Sequence, residues 1–192
     1  QAVNGISYSV APGEIVAIVC ESGSGKSVGA RAILGLVPSP PGKIVSGSIT
    51  FNGIDLLGLD DTAIRNVRGK DISMVFQEPT LLPWRNLRDN ITIATGASEA
   101  EADAALADVG LASRAEEFPN RLSLGQQRRL SLARAFAVKP ALLLLDEPFV
   151  SLDPALVDEM MTLFTTLRVA HQVTTVLVTH VEAEARRLAS SD

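Results

Sequence analysis

Four short apolar runs stand out along the chain: Ile15–Val19, 72–76, 141–145 and Thr174–Thr179. The third reads Ala-Leu-Leu-Leu-Leu with no polar alternation, the pattern of a parallel strand covered on both faces. Helical stretches predicted over 27–36, 123–138 and 154–170 separate these runs, and strands alternating with helices imply a parallel α/β sheet. Two regions break the pattern. Residues 42–53, ending in the turn pair Asn52-Gly53, read as β-structure, and with 6–10 they predict a small antiparallel sheet beside the core. Residues 86–120, rich in Ala, Glu and Asp, read as a compact helical insertion. The stretch 38–42, Pro-Ser-Pro-Pro-Gly, is a breaker between helix and sheet.

The chain of 192 residues is 46% hydrophobic, 20% charged and only 4% aromatic, so its core must come from Ala, Val, Leu and Ile. A net charge of −5 speaks against a nucleic-acid binder, which usually shows a basic face. No apolar stretch reaches the roughly 20 residues that span a bilayer. A single cysteine, Cys20, leaves no internal disulfide. With an opening that lacks a basic leader, these features make the cytoplasm the expected address.

Behind the first apolar run comes Cys20-Glu21-Ser22-Gly23-Ser24-Gly25-Lys26-Ser27-Val28, and then a helix. A glycine-rich turn between strand and helix gathers backbone N–H groups around an anion, and the helix dipole adds attraction. Glu21 through Val28 are therefore candidate nucleotide-binding residues. Lys26 is placed to reach the β- and γ-phosphates, and the Ser27 hydroxyl to bind Mg²⁺. Cys20 stands where the phosphate-loop pattern wants glycine. It is expected as a small buried apolar residue, with a reactive thiol at the helix N-terminus as the alternative.

The apolar run 141–145 delivers Asp146 and Glu147 to the carboxyl end of a strand, where open α/β sheets collect ligand groups. Asp146 is the candidate Mg²⁺ ligand, directly or through water. Glu147 is the candidate general base for an attacking water.

Leu122-Ser123-Leu124-Gly125-Gln126 resembles the signature sequence of the ABC transporter ATP-binding family. Gln77 in Val75-Phe76-Gln77-Glu78-Pro79 resembles that family's Q-loop, Ser151-Leu152-Asp153 its D-loop, and His180 its switch histidine. With the phosphate loop and the acidic pair, these motifs follow the family's order from about residue 5 to 190. The resemblance implies a P-loop NTPase fold: a mostly parallel sheet core, a small antiparallel β portion and a helical signature subdomain. It makes 1–192 one domain, with 1–80 and 138–192 as the core and 81–137 as the helical subdomain. It also implies ATP and Mg²⁺, with Lys26, Glu147 and His180 as catalytic residues. Ser27, Gln77 and Asp146 are then at the metal, and Ser123, Gly125 and Gln126 contact nucleotide. The implied partners are transmembrane permease subunits and a second ATP-binding domain paired head-to-tail. That places the protein peripherally on the inner face of the cell membrane, with no nucleic acid partner.

Ser123 followed by Gln126 is independently a capping-box pattern that opens a helix. Arg128 and Arg129, just inside it, are expected to be solvated helix charges. Leu124 replaces the signature's first glycine, and activity is expected to survive the change. Trp84 is either a core or interdomain filler or part of an exposed apolar docking patch. The family's adenine-stacking aromatic lies upstream of residue 1, so the chain reads as a cassette clipped at both ends. Similarity to importers is favoured, driving substrate uptake by ATP hydrolysis. A weakly hydrolysing ATP-binding module and a non-transport ABC ATPase remain the alternatives.

Overall fold

Two of the four predicted strands form residue for residue: β1 (Ile15–Val19) and β6 (Thr174–Thr179). The computed structural model describes residues 3–21 and 25–189. The other two runs become β4 (Ile72–Val75) and β5 (Leu142–Asp146), so Asp146 is the last strand residue rather than the first loop residue. Among the described residues these strands make one parallel sheet in the order β1-β6-β5-β4.

Alternation along the strands serves two apolar layers. On β5, Leu143 and Leu145 face a core built with Phe136, Met161, Phe164 and Leu188, while Leu144 faces the opposite side with Ile33, Leu34, Ile72 and Val176. The central strand is therefore apolar throughout because it is covered twice. One cover comes from α1 (Lys26–Ile33) and α2 (Asp61–Val67). The other comes from α5 (Leu124–Phe136), α6 (Pro154–His171) and α7 (Glu182–Ala189). The insertion folds as α3 (Leu87–Thr95) and α4 (Glu99–Asp108), joined to α5 by 3₁₀ turns. Leu87, Ile91 and Leu106 are fully buried in the same apolar layer as α5 and α6.

The antiparallel portion is smaller than expected and differently composed. β2 (Thr50–Phe51) pairs with β3 (Ile54–Asp55) across Asn52-Gly53, whose φ values of 49° and 80° are what a tight hairpin of this hand requires. Residues 6–10 carry no strand; Ile6 and Tyr8 lie exposed, with no ladder partner to align them. The breaker at 38–42 is a turn, closed by the Gly42 N–H donating to the Pro38 carbonyl at 2.8 Å. A Cβ on Gly42 would come within 2.6 Å of that carbonyl oxygen, so only glycine fits.

Candidate nucleotide site at the strand ends

Each parallel strand ends by presenting candidate groups at the same edge of the sheet. β1 leads through Cys20 and Glu21 into α1, β6 into His180, β5 into Asp146-Glu147, and β4 into Gln77. The register makes this convergence obligatory: Val19 pairs with Thr179, Asp146 with Val178, and Val75 with Leu145.

At β1 the chain turns through Gly25, which caps α1 at φ 87° and ψ 7°. This left-handed conformation is what glycine permits without cost. Gly25 supplies no side-chain cap and the first turn of α1 holds no acid, so the helix's own residues leave the positive end of its dipole unneutralised. Lys26 is 8% exposed, and its ammonium donates to the carbonyls of Cys20 at 2.6 Å and Glu21 at 2.5 Å. The ammonium thus lies against the residues that leave β1. Val28, one helical turn in, is exposed. Ser22, Gly23 and Ser24, which the sequence places at the centre of the anion site, lie outside the described residues. Cys20 is exposed, which corrects the expectation of a buried apolar filler: the strand has already left the core there.

The acidic pair divides by burial. Asp146 is 1% exposed and accepts a 2.6 Å hydrogen bond from the Ser27 hydroxyl through Oδ1. Its other oxygen, Oδ2, faces the Arg31 guanidinium at 3.6 Å. Arg31 was not singled out from the sequence, although it follows Ser27 by one helical turn and so shares its face. Glu147 has a backbone φ of 49°, unusual for a residue with a Cβ and costing on the order of 1–2 kcal/mol. Its N–H donates to the Val178 carbonyl at 2.9 Å, which pins it beside β6. Its carboxylate Oε2 lies 3.4 Å from His180 Nδ1. Asp146 is held buried between Ser27 and Arg31, whereas Glu147 and His180 form a partly exposed pair that a bound molecule can reach. Gln77 follows β4 and is exposed.

The signature residues occupy the start of α5. Ser123 Oγ accepts from the Gln126 N–H at 3.3 Å, and Gln126 Oε1 accepts from the Ser123 N–H at 3.0 Å, a complete capping box. The same Oε1 accepts from Arg114 at 2.7 Å; Arg114 is in turn bridged to both carboxylate oxygens of Glu117. That bridge raises the Arg114 pKa and holds the Glu117 carboxyl below its usual range. Gly125 is buried, and a Cβ there would meet the tip of Leu156 on α6 at 2.9 Å. Glycine at this position therefore also serves the packing of α5 on α6. Leu124, by contrast, is exposed. Trp84 is 69% exposed, which removes its core-filler reading.

Arg128 and Arg129 are not the solvated charges expected. Arg129 donates to the Val109 carbonyl at 2.8 Å and pairs with Glu159. Arg128 is 5% exposed and donates to the carbonyls of Phe76 and Val150. A charge in a helical sequence normally signals a wet face; here the carbonyls of Phe76, Val150 and Val109 solvate the two guanidinium groups.

The family model for "ABC transporter" matches residues 3–150. The chain is 40% identical over 190 residues to the aliphatic sulfonates import ATP-binding protein SsuB of Cupriavidus necator, covering 98% of this chain and 59% of that protein. It is 37% identical over 193 residues to the oligopeptide transport ATP-binding protein OppD of Bacillus subtilis, covering 94% and 54%. The chain thus spans a little over half the length of these two relatives. Among solved structures, the dimeric post-hydrolysis state of the ATP-binding cassette MJ0796 bound to ADP and Pi matches with a TM-score of 0.82 at 31% identity. That match covers 96% of this chain and 82% of the other. A chain so matched, whose sheet β1-β6-β5-β4 carries lysine, histidine, the aspartate-glutamate pair and glutamine at its successive strand ends, belongs to the ABC transporter family, with the P-loop fold of an ATP-binding cassette.

Proposed function

We propose that this chain binds and hydrolyses ATP, yielding ADP and phosphate, to power import through separate transmembrane permease subunits. The observation that carries the reading is the convergence of Lys26, the Ser27–Asp146 hydrogen bond and the Glu147–His180 pair on one sheet edge. The α1 N-terminus and Lys26 bind the phosphates, with Glu21, Ser22, Gly23, Ser24, Gly25 and Val28 shaping the loop around them. Glu147 accepts a proton from the attacking water, and His180 Nδ1, close to its carboxylate, keeps it aimed and senses the γ-phosphate. Placing 1–192 in one cassette, with 81–137 as its helical part, is consistent with the apolar layer that α3, α4, α5 and α6 share.

The donor chemistry fits Mg²⁺. Ser27 Oγ and Asp146 Oδ1 are hard oxygens already 2.6 Å apart, and Gln77 follows the neighbouring strand. Mg²⁺ prefers oxygen ligands and keeps phosphates and waters in its shell. Among the described residues no cluster of three His, Cys, Asp or Glu side chains could hold a metal without such additions. When bound, the ion neutralises charge on the phosphate oxygens.

Ser123, Gly125 and Gln126 would contact nucleotide held by a second cassette paired head-to-tail; the MJ0796 cassette, itself a dimer, supports that arrangement. No helix among the described residues is long and apolar enough to cross a membrane. Location at the inner membrane face then follows from docking on the permease, for which exposed Trp84 and Ile93 are apolar candidates.

The test is phosphate release by the purified protein with Mg-ATP. Glu147→Gln should lower kcat about 1,000-fold while leaving ATP binding within about threefold. A parent protein that binds ATP and releases no phosphate would refute hydrolysis.

A further inference from the structure

Arg128 sits in the second turn of α5, almost without solvent, and its guanidinium reaches in two directions. Nη1 donates to the Phe76 carbonyl at 3.3 Å, and Nη2 to the Val150 carbonyl at 3.4 Å. Phe76 immediately precedes Gln77, and Val150 immediately precedes Ser151, four residues after Glu147. One side chain thus joins the helix that begins at the signature to the two loops that flank the acidic pair. The attachment continues down the same helical face. Ser131 donates to the Pro79 carbonyl at 3.1 Å, and Arg134 to the carbonyls of Pro79 at 3.0 Å and Thr80 at 2.9 Å. Positions 128, 131 and 134 fall on one side of an α-helix, so the segment 76–80 is laced along α5.

Burial pushes the Arg128 pKa down, with Glu78 opposing the shift. Its Nε is buried with no hydrogen-bond partner. Both features cost stability, since an unpaired buried donor is expensive and an apolar side chain of similar shape often packs as well. A planar fork with separate donors is nonetheless the side chain that holds two carbonyls at a set spacing, which a lysine does not do.

We infer that Arg128 is a positioning residue that fixes the Gln77 loop and the Ser151 loop against the signature helix, so that a displacement of α5 is felt at both. The inference rests on the proposed reading of Gln77 and Glu147 as groups that serve ATP. It concerns geometry transmitted through packed polar contacts.

The experiment is a double-mutant cycle in the full chain, reading Mg-ATP hydrolysis and thermal unfolding together. Arg128→Met and Gln77→Ala should each lower kcat about tenfold with KM for ATP within about threefold, and the double variant should lose about tenfold rather than about 100-fold. Arg128→Lys, able to hold one carbonyl, should fall between parent and Arg128→Met, and Tm should not follow the ranking in kcat. If Arg128→Met does not fold, Arg128→Gln carries the same cycle. Losses that multiply, or an Arg128→Met variant with kcat within about twofold of the parent, overturn the inference and leave the function standing. A parent without Mg-dependent phosphate release overturns both.

Discussion

The strand-end edge and the helical region around α5 organise polar residues by opposite means. At the strand ends, groups far apart in sequence meet because the sheet register brings them to one line; Ser27 and Asp146 are 119 residues apart and bonded at 2.6 Å. The local backbone there is held in uncommon conformations, with Gly25 at φ 87° and Glu147 at φ 49°. At the starts of α4 and α5 the helix ends are capped locally instead. Ser98 and Ser123 close capping boxes within one turn, and Arg88 bridges Asp103 and Glu116 on the surface. One region stores its order in long-range pairing and a little strain, the other in short-range caps and ion pairs. Damage to the first should therefore appear in chemistry and loss of a cap or surface ion pair in the second in stability, while Arg128, which ties α5 to the loops at the strand ends, belongs with the first.

After Glu147→Gln, the largest expected break is Asp146→Asn. The amide still accepts from Ser27 but loses the charge that faces Arg31, and hydrolysis should fall on the order of 100-fold with Tm little changed, read by phosphate release and calorimetry. Gly25→Ala comes next. A Cβ at φ 87° costs about 1–2 kcal/mol, and since the strain falls in the phosphate loop, nucleotide affinity should drop about tenfold in a fluorescent-nucleotide titration. Gly125→Ala sharpens the contrast, because its Cβ meets only the movable tip of Leu156; binding by a single cassette should be unaffected.

Ser123→Ala removes a helix cap and should cost about 1 kcal/mol, seen as a lower Tm. The smallest effect concerns Glu101, whose carboxyl is held below its usual range, chiefly by the Ser98 N–H. Its contribution is present above the ordinary carboxylate value and is lost as pH falls through the depressed one. The Tm gap between parent and Glu101→Gln at about pH 7 should therefore close as the pH is lowered below the ordinary carboxylate range.

Much of the strand-end edge was legible because its parts are linear. An apolar run bounded by Gly or acid is a strand whose end can be counted, and β1 and β6 were found to the residue. α2 and α7 were not read, since seven or eight mostly polar residues carry little periodicity; only the Asp60 cap marked α2. Residues 6–10 alternate like a strand, but alternation cannot say whether a neighbour exists to pair with. Arg31, Arg114 and Arg128 escaped for a shared reason: an arginine in a polar helix looks the same whether it meets water, a carboxylate or a buried carbonyl. For Arg31 a signal was present in its spacing from Ser27; for Arg128 there was none short of the packed structure.

The pairing of Asp146 with Val178 has a further consequence. Successive residues on a strand point to opposite faces, so a shift of one position exchanges whatever lies on either side. Inserting a single alanine within β5 would leave every acid in the chain yet put Leu145 opposite the Ser27 hydroxyl and Asp146 beside the imidazole. In this protein the chemistry is written in the count of residues as much as in their kinds.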